Sequence, residues 1–117
     1  MLDSNPDDAD TYFNVGVIYQ RLASTLYDKT VADWKKITNQ DAPSSISIKA
    51  NYDNFNQTLN FVESALGYFM DSNMLEEEEN LQTKRAINEM KRTRRSIKDI
   101  YLDSIRQIAK KNNVELN

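Results

Sequence analysis

The side chains best suited to binding chemistry are cations concentrated in one segment of the second half of the chain. This basic segment contains Lys84, Arg85, Lys91, Arg92, Arg94, Arg95 and Lys98. At helical spacing Lys91, Arg95 and Lys98 share one face, which could meet phosphates, RNA or an acidic protein. The alternative is a solvated surface, where Glu89 and Asp99 pair with these cations. Nucleic acid is not the favoured partner, because no aromatic residue is interleaved for base stacking and the net charge is −3.

Four consecutive glutamates, Glu76 to Glu79, form a dense run of carboxylates. Consecutive residues point in different directions around a helix, so they would make a poor cage for a divalent metal ion. Negative charge is favoured where a helix begins, because it meets the positive end of the helix dipole. The run therefore predicts the start of a helix and no metal site.

Catalytic chemistry has little support, because the chain contains neither Cys nor His. Disulfides, thiolate nucleophiles, imidazole bases and nearly all zinc sites are thereby excluded. The sequence also has no Gly-rich phosphate loop, nucleophile elbow or spaced pair of carboxylates. We therefore expect a protein that is not an enzyme and that binds no cofactor.

The composition predicts a single all-α domain over residues 1–117. Two Gly and two Pro are too few for the many turns of a sheet, whereas 39% hydrophobic and 28% charged residues are typical of a folded domain. No apolar stretch is long enough to span a bilayer, and the residues before Pro6 lack the pattern of a secretion signal. The cellular compartment cannot be read from these features.

Two helical regions are expected, separated by a loop around Pro43. Residues 6–43 predict a helical hairpin with a break near Ser24 and Thr25. Residues 47–112 predict a long antiparallel hairpin. Its first helix has apolar residues at heptad spacing, namely Tyr52, Phe55, Leu59, Val62, Leu66 and Phe69. An interruption is expected at residues 71–73, and a kink or local exposure near residues 91–96, where Arg94 occupies an inward position.

The first region contains an ordered set of aromatic, aliphatic and small residues. These are Tyr12, Val15, Gly16 and Tyr19, then Thr30 and Trp34, and then Pro43. The set resembles the tetratricopeptide repeat, whose pattern is Trp-x2-Leu-Gly-x2-Tyr, then Ala-x3-Phe, then Pro. A glycine inside a helix costs roughly 1 kcal/mol relative to Ala, and close approach of a paired helix would account for it. The gap from Tyr19 to Thr30 is two residues longer than the pattern, so an extended turn is expected there.

The resemblance implies an αα superhelix that scaffolds other proteins or binds a protein or peptide partner. Repeat units of this kind bury their faces against neighbouring units, so several are needed for stability. On this basis the chain would be the C-terminal end of a longer array in a bacterial protein. Residues 47–112 would then cap the array.

The resemblance also implies a partner-binding face on the first helix. Its outward positions are Asp10, Phe13, Val17, Gln20 and Arg21. Phe13 and Val17 are apolar where solvent favours polar residues, which is typical of a binding groove. The favoured alternative is that the helix over residues 50–70 covers them as part of the core. The Lys and Asn that bind acidic C-terminal tails in this family are absent, since Phe13 and Val17 stand there.

The sequence is compatible with two further kinds of partner. The heptad helices could pair between two copies of the chain, which would be self-association. In the other alternative, the basic helix around residues 84–98 would bind nucleic acid or another anionic surface.

Overall fold

Three long helices with short connections account for nearly all of residues 8–116, which are the residues that the computed structural model describes. Helix α1 spans Ala9–Thr38 and α2 spans Ser45–Leu75. Helix α3 runs from residue 81 to residue 111, with a π-helical segment at Ile97–Leu102. The described part has no strand, which confirms the all-α class. The bundle is elongated, with extents of 54 × 25 × 20 Å.

Helix α1 is continuous, so the hairpin predicted for residues 6–43 is wrong. The helix begins after Asp8, whose Oδ1 accepts a hydrogen bond from the backbone N–H of Asp10 at 3.0 Å. From residue 17 to residue 42 the sequence has neither Gly nor Pro, and Ser24 and Thr25 alone do not break a helix. The first residues of the predicted hairpin, 6 and 7, and the segment before them lie outside the described residues.

The buried face of α1 repeats every seven residues through the predicted break. Its members are Gly16, Ala23, Thr30 and Ile37, all of them buried. This is the heptad spacing of a helix packed along a partner of similar length, and it continues where a turn was expected. The segment that carries the repeat-like motif is therefore one helix. The helix pair that the tetratricopeptide resemblance implies is not formed within residues 9–38.

The motif residues pack between α1 and α2. The Tyr19 ring stacks on Tyr68 at a centroid distance of 5.7 Å, and the Tyr12 ring lies 6.1 Å from the same residue. Thr30 and Trp34 are buried and Val15 is half-buried, while Pro43 lies half-buried in the connection between the helices. The aromatic motif residues Tyr12 and Tyr19 thus pack across the interface between α1 and α2.

Helix α2 is the central helix, because both α1 and α3 pack against it. It begins after Ser44, whose Oγ accepts a hydrogen bond from the backbone N–H of Ser47 at 3.1 Å. Two rows at heptad spacing are buried: Ile48, Phe55, Val62 and Phe69, and Asn51, Thr58, Ala65 and Ser72. The first row contains Phe55, Val62 and Phe69, which the heptad spacing predicted, whereas the residues of the second row are small or polar. The interruption predicted at residues 71–73 is wrong, since α2 continues to Leu75.

The connection at residues 76–80 separates α2 from α3. Helix α3 begins after Asn80, whose Oδ1 accepts hydrogen bonds from the backbone N–H groups of Gln82 and Thr83 at 2.9 and 3.2 Å. The prediction that Glu76 to Glu79 open this helix is therefore wrong. Glu76 instead accepts a hydrogen bond from the buried Thr83 hydroxyl at 2.7 Å, which joins the two helix ends.

The π-helical segment of α3 absorbs one extra residue. The inward positions Thr83, Met90 and Ile97 are seven apart, but the next buried residue after Ile97 is Leu102, five positions on. A π turn accommodates such an insertion without changing the buried face of the flanking turns. The irregularity expected at residues 91–96 therefore lies at residues 97–102, and Arg94 is held by an ion pair to Glu63 at 3.5 Å.

Candidate functional site

The face of α1 predicted to bind a partner is largely occupied by the chain itself. The Phe13 ring lies 5.3 Å from the Phe69 ring on α2, and Val17 packs against the core. Gln20 Nε2 donates a hydrogen bond to Glu89 Oε2 on α3 at 3.3 Å. Because these contacts are intramolecular, the open groove expected at Phe13 and Val17 is not present, and residues 50–70 supply the cover that the alternative anticipated.

The two remaining residues of that set, Asp10 and Arg21, are exposed. The Asp10 backbone N–H is taken up in the helix cap, so Asp10 lies at the very start of α1. Arg21 lies near the middle of α1 and borders a different hollow, which is lined by residues of α1 and α2. The structure therefore does not bring the five predicted residues together into one binding surface.

An open apolar groove lies along α1 and the adjoining part of α2. It has a volume of about 530 Å³ and is lined by Ile18, Arg21, Leu22, Thr25, Leu26, Lys29 and Phe61. Ile18 and Leu22 are 58% and 44% exposed, which is unusual for two large aliphatic side chains one turn apart. We call this surface the α1–α2 groove.

The geometry of the α1–α2 groove follows from the sequence of α1. Ile18, Leu22 and Leu26 recur every four residues and form a second stripe, on a face that the heptad core residues leave free. Phe61 of α2 contributes an aromatic wall, its ring 6.4 Å from that of Tyr19. This stripe is visible in the sequence as aliphatic residues at positions i, i+4 and i+8.

Two cations border the α1–α2 groove. Arg21 and Lys29 are exposed, and neither lies within 4.0 Å of a carboxylate in the part of the chain that the structure describes. The groove therefore combines an apolar floor with a positively charged border. Such a surface can bury apolar side chains of a ligand and pair with acidic groups beside them.

The predicted basic face of α3 is exposed, but its three members do not form one site. A hollow of about 430 Å³ is lined by Arg85, Asn88, Lys91, Arg92 and Arg95. Lys98 does not line this hollow and lies in the π-helical segment. The predicted pairing of these cations with Glu89 and Asp99 is not observed. Among residues 8–116 the ion pairs are Lys84–Glu79 at 2.8 Å and Arg94–Glu63 at 3.5 Å.

An aromatic cluster lies at the level of the π-helical segment. The rings of Phe55 and Tyr101 stack at 4.9 Å, and Tyr27 meets Tyr101 edge-on at 5.9 Å. Burial raises the pKa of the Tyr27 phenol above its ordinary value, and the neighbouring Tyr101 phenol adds to the increase. Phe55 is buried and the two tyrosines are half-buried against the core, so we assign the cluster a structural role. Elsewhere, in the connection between α2 and α3, a hydrogen bond from Lys84 lowers the pKa of the exposed Glu79 carboxyl group.

Metal binding and membrane spanning have no support in the described residues. Within residues 8–116, no three acidic side chains are grouped so that they could hold a metal ion. None of the helices over the same residues is long and apolar enough to cross a bilayer. The surfaces available for recognition are thus the α1–α2 groove and the basic side of α3. Compared with protein-family models, curated proteins and solved structures, the chain has no significant match.

Proposed function

We propose that the chain is a non-catalytic protein-interaction module that binds an acidic, amphipathic helix of a partner protein in the α1–α2 groove. The observation that carries this proposal is the row of exposed aliphatic side chains on a helix whose other stripe is already buried in the core. Leaving these side chains in water is unfavourable by about 25 cal/mol per Å² of apolar surface, so a covering partner would stabilise them. The proposal uses a different face of α1 from the one that the sequence motif suggested.

The shape of the groove favours a helical ligand. Ile18 and Leu26 are eight residues apart on α1, a distance of about 12 Å at the helical rise of 1.5 Å per residue. A helix lying along α1 and α2 would place apolar side chains over two turns, at positions i, i+4 and i+7. The groove is open and has little uncharged polar lining beyond Thr25, so it lacks the convergent polar groups of a typical small-molecule site.

The charges at the border favour an acidic ligand. Arg21 and Lys29 are also eight residues apart, so two carboxylates about 12 Å apart on the ligand helix could pair with both. Pairs at the border of an interface contribute mainly to specificity and to the rate of association. A ligand with basic residues at the same positions would be repelled. A preference for acidic over basic ligand helices therefore distinguishes this proposal from nonspecific hydrophobic binding.

The test uses two synthetic helical peptides with the same apolar stripe, one flanked by Glu and one flanked by Lys. Each is titrated into the isotope-labelled chain while backbone amide resonances are recorded by NMR spectroscopy. We expect the Glu-flanked peptide to perturb amides around residues 18–29 and residue 61, and the Lys-flanked peptide to bind at least about tenfold more weakly. Absence of perturbation in the groove by either peptide would refute the proposal.

A matched pair of variants assigns the binding to the groove. Leu22→Asp places a carboxylate on the groove floor and should abolish the perturbations caused by the Glu-flanked peptide. Ile46→Asp makes the same kind of change at a residue that is 79% exposed and outside the groove, and it should leave binding unchanged. Equal effects of the two substitutions would show that the peptide binds elsewhere.

A further inference from the structure

Helix α3 carries a charge opposite to that of the rest of the chain. Residues 81–111 contain ten Lys and Arg against three Asp and Glu, a net charge of +7. Because the whole chain has a net charge of −3, the remaining residues carry −10. An overall acidic composition thus conceals a basic helix on one side of the bundle. Such segregation creates a local field that attracts anions even though the average charge would repel them.

The cations at the centre of α3 have no internal counter-charges. Arg85, Lys91, Arg92 and Arg95 are exposed, and none has a carboxylate within 4.0 Å among residues 8–116. Lys91 and Arg95 are one turn apart, a spacing at which like charges destabilise a helix by about 0.2–0.5 kcal/mol. An external anionic surface would remove this repulsion.

Exposed apolar side chains adjoin these cations. Met74 is 81% exposed and Met70 is 45% exposed, one turn apart on α2. They share a hollow of about 290 Å³ with Asn73, Lys84, Ile87, Asn88 and Lys91. Lys91 also lines the basic hollow of α3, so the apolar and basic surfaces meet at this residue. We call the combined surface the Met–basic face.

We propose that the Met–basic face docks peripherally on a lipid bilayer that contains anionic lipids. Flexible, unbranched Met side chains can enter the boundary between headgroups and acyl chains, while Lys and Arg reach the lipid phosphates. Each cation held near an anionic membrane contributes about 1 kcal/mol to binding. Nucleic acid fits this surface less well, because the residues that line the two hollows include no aromatic side chain for base stacking.

The acids of the α2–α3 connection define the orientation of the docked bundle. Glu77 and Glu78 are exposed at the tip beside Leu81, and they would be repelled if the tip approached an anionic membrane end-on. Glu79 is neutralised by its ion pair with Lys84. The favoured arrangement therefore has α3 lying along the membrane surface, with the acidic remainder of the bundle directed toward water.

The test is co-sedimentation of the full chain with vesicles of phosphatidylcholine alone or containing about 30% phosphatidylserine, at low and high salt. We expect binding to the phosphatidylserine vesicles at low salt, no binding to the neutral vesicles, and loss of binding as salt is raised. Lack of binding to anionic vesicles at low salt would overturn the proposal, as would equal binding to neutral ones.

Three double variants, each checked for helicity by circular dichroism, locate the contact. Lys91→Glu with Arg95→Glu should weaken vesicle binding at least about tenfold, whereas the same change in charge at Lys35 and Lys36, in the last turn of α1, should have a much smaller effect. Met70→Ser with Met74→Ser should weaken binding about fivefold at unchanged charge. Full retention of binding by the methionine variant would overturn the proposal.

A parallel titration with fluorescent single-stranded RNA and DNA separates this ligand class from nucleic acid. Tighter binding of RNA or DNA than of anionic vesicles, unaffected by the methionine substitutions, would identify the surface as a nucleic-acid site and reject membrane docking. The Leu22→Asp variant tests whether vesicle binding depends on the α1–α2 groove. It should bind vesicles normally, because none of the residues that line the groove belongs to α3.

Discussion

Gly16 of α1 lies directly against the Phe69 ring of α2, where a side chain on residue 16 would collide with that ring. A Cβ atom built at Gly16 would stand 2.6 Å from Cε1 and 2.7 Å from Cδ1 of Phe69. Phe69 is completely buried, and its ring packs on Phe13. The glycine therefore determines how closely the two helices pack.

Gly16→Ala is expected to destabilise the fold even though Ala is the better helix former. The gain in helix propensity is about 1 kcal/mol, whereas forcing an extra methyl group into a packed core costs about 1–3 kcal/mol. Gly67→Ala is the matched control, since nothing lies within 4 Å of a Cβ at that exposed position. It should stabilise the protein by about 1 kcal/mol. Urea unfolding followed by circular dichroism measures both, and equal stabilisation would contradict the packing argument.

The sequence predicted the class of the fold better than its connections. The apolar row of α2 through Phe55, Val62 and Phe69 was identified correctly, and so was the helical nature of both regions. The continuity of α1 was not predicted, because the repeat resemblance implies two helices over residues 6–43 and therefore a break near Ser24 and Thr25. Its buried row, Gly16, Ala23, Thr30 and Ile37, consists mainly of small or polar residues that pack against larger ones. Hydrophobicity alone therefore does not show that the row is continuous.

The binding surfaces were predicted less well, for a related reason. A partner groove was assigned to Phe13 and Val17 from the repeat resemblance, and α2 and α3 cover that face. The stripe of Ile18, Leu22 and Leu26 is present in the sequence, but its exposure could be recognised only once the other stripe of α1 was known to be buried. The basic character of α3 was predicted, but the exposed position of Met74 beside it depends on how the helices pack.

The hydroxyl of Thr83 is expected to contribute to stability through the α2–α3 connection. Thr83 is 1% exposed, and its Oγ1 donates to Glu76 Oε1 at 2.7 Å. Thr83→Val preserves the shape and removes the donor, which should lower the free energy of unfolding by about 1–3 kcal/mol. Thr93→Val is the control, since that hydroxyl donates only to the Glu89 carbonyl within its own helix and should matter by less than about 0.5 kcal/mol. Equal unfolding midpoints would disprove a role for the Glu76 contact.

Tyr27 should make the bundle sensitive to alkaline pH. Its pKa is raised above about 10 in the folded state by burial and by Tyr101. The folded state therefore holds this proton more tightly than the unfolded chain. The resulting stability is fully present below pH 10 and is lost as pH rises through the folded-state pKa. In Tyr27→Phe the decline in stability from pH 9 to pH 12 should be smaller than in the wild type, as measured by urea unfolding. Parallel declines in the two proteins would exclude this linkage.

The π-helical segment predicts that one particular deletion is tolerated. Removing Ile100, which is 59% exposed, would shift Leu102 and Ile105 back by one position. The inward residues after Ile97 would then follow regular spacings of four and three, so a plain α-helix could keep the same buried face. We expect cooperative thermal unfolding to persist, with a loss of about 1 kcal/mol or more from a displaced Tyr101 ring. Deleting the exposed Glu89 instead rotates every later residue by about 100° with no irregularity to absorb the change. That variant should lose its cooperative transition, and similar melting curves for the two deletions would refute the insertion as the cause of the π turn.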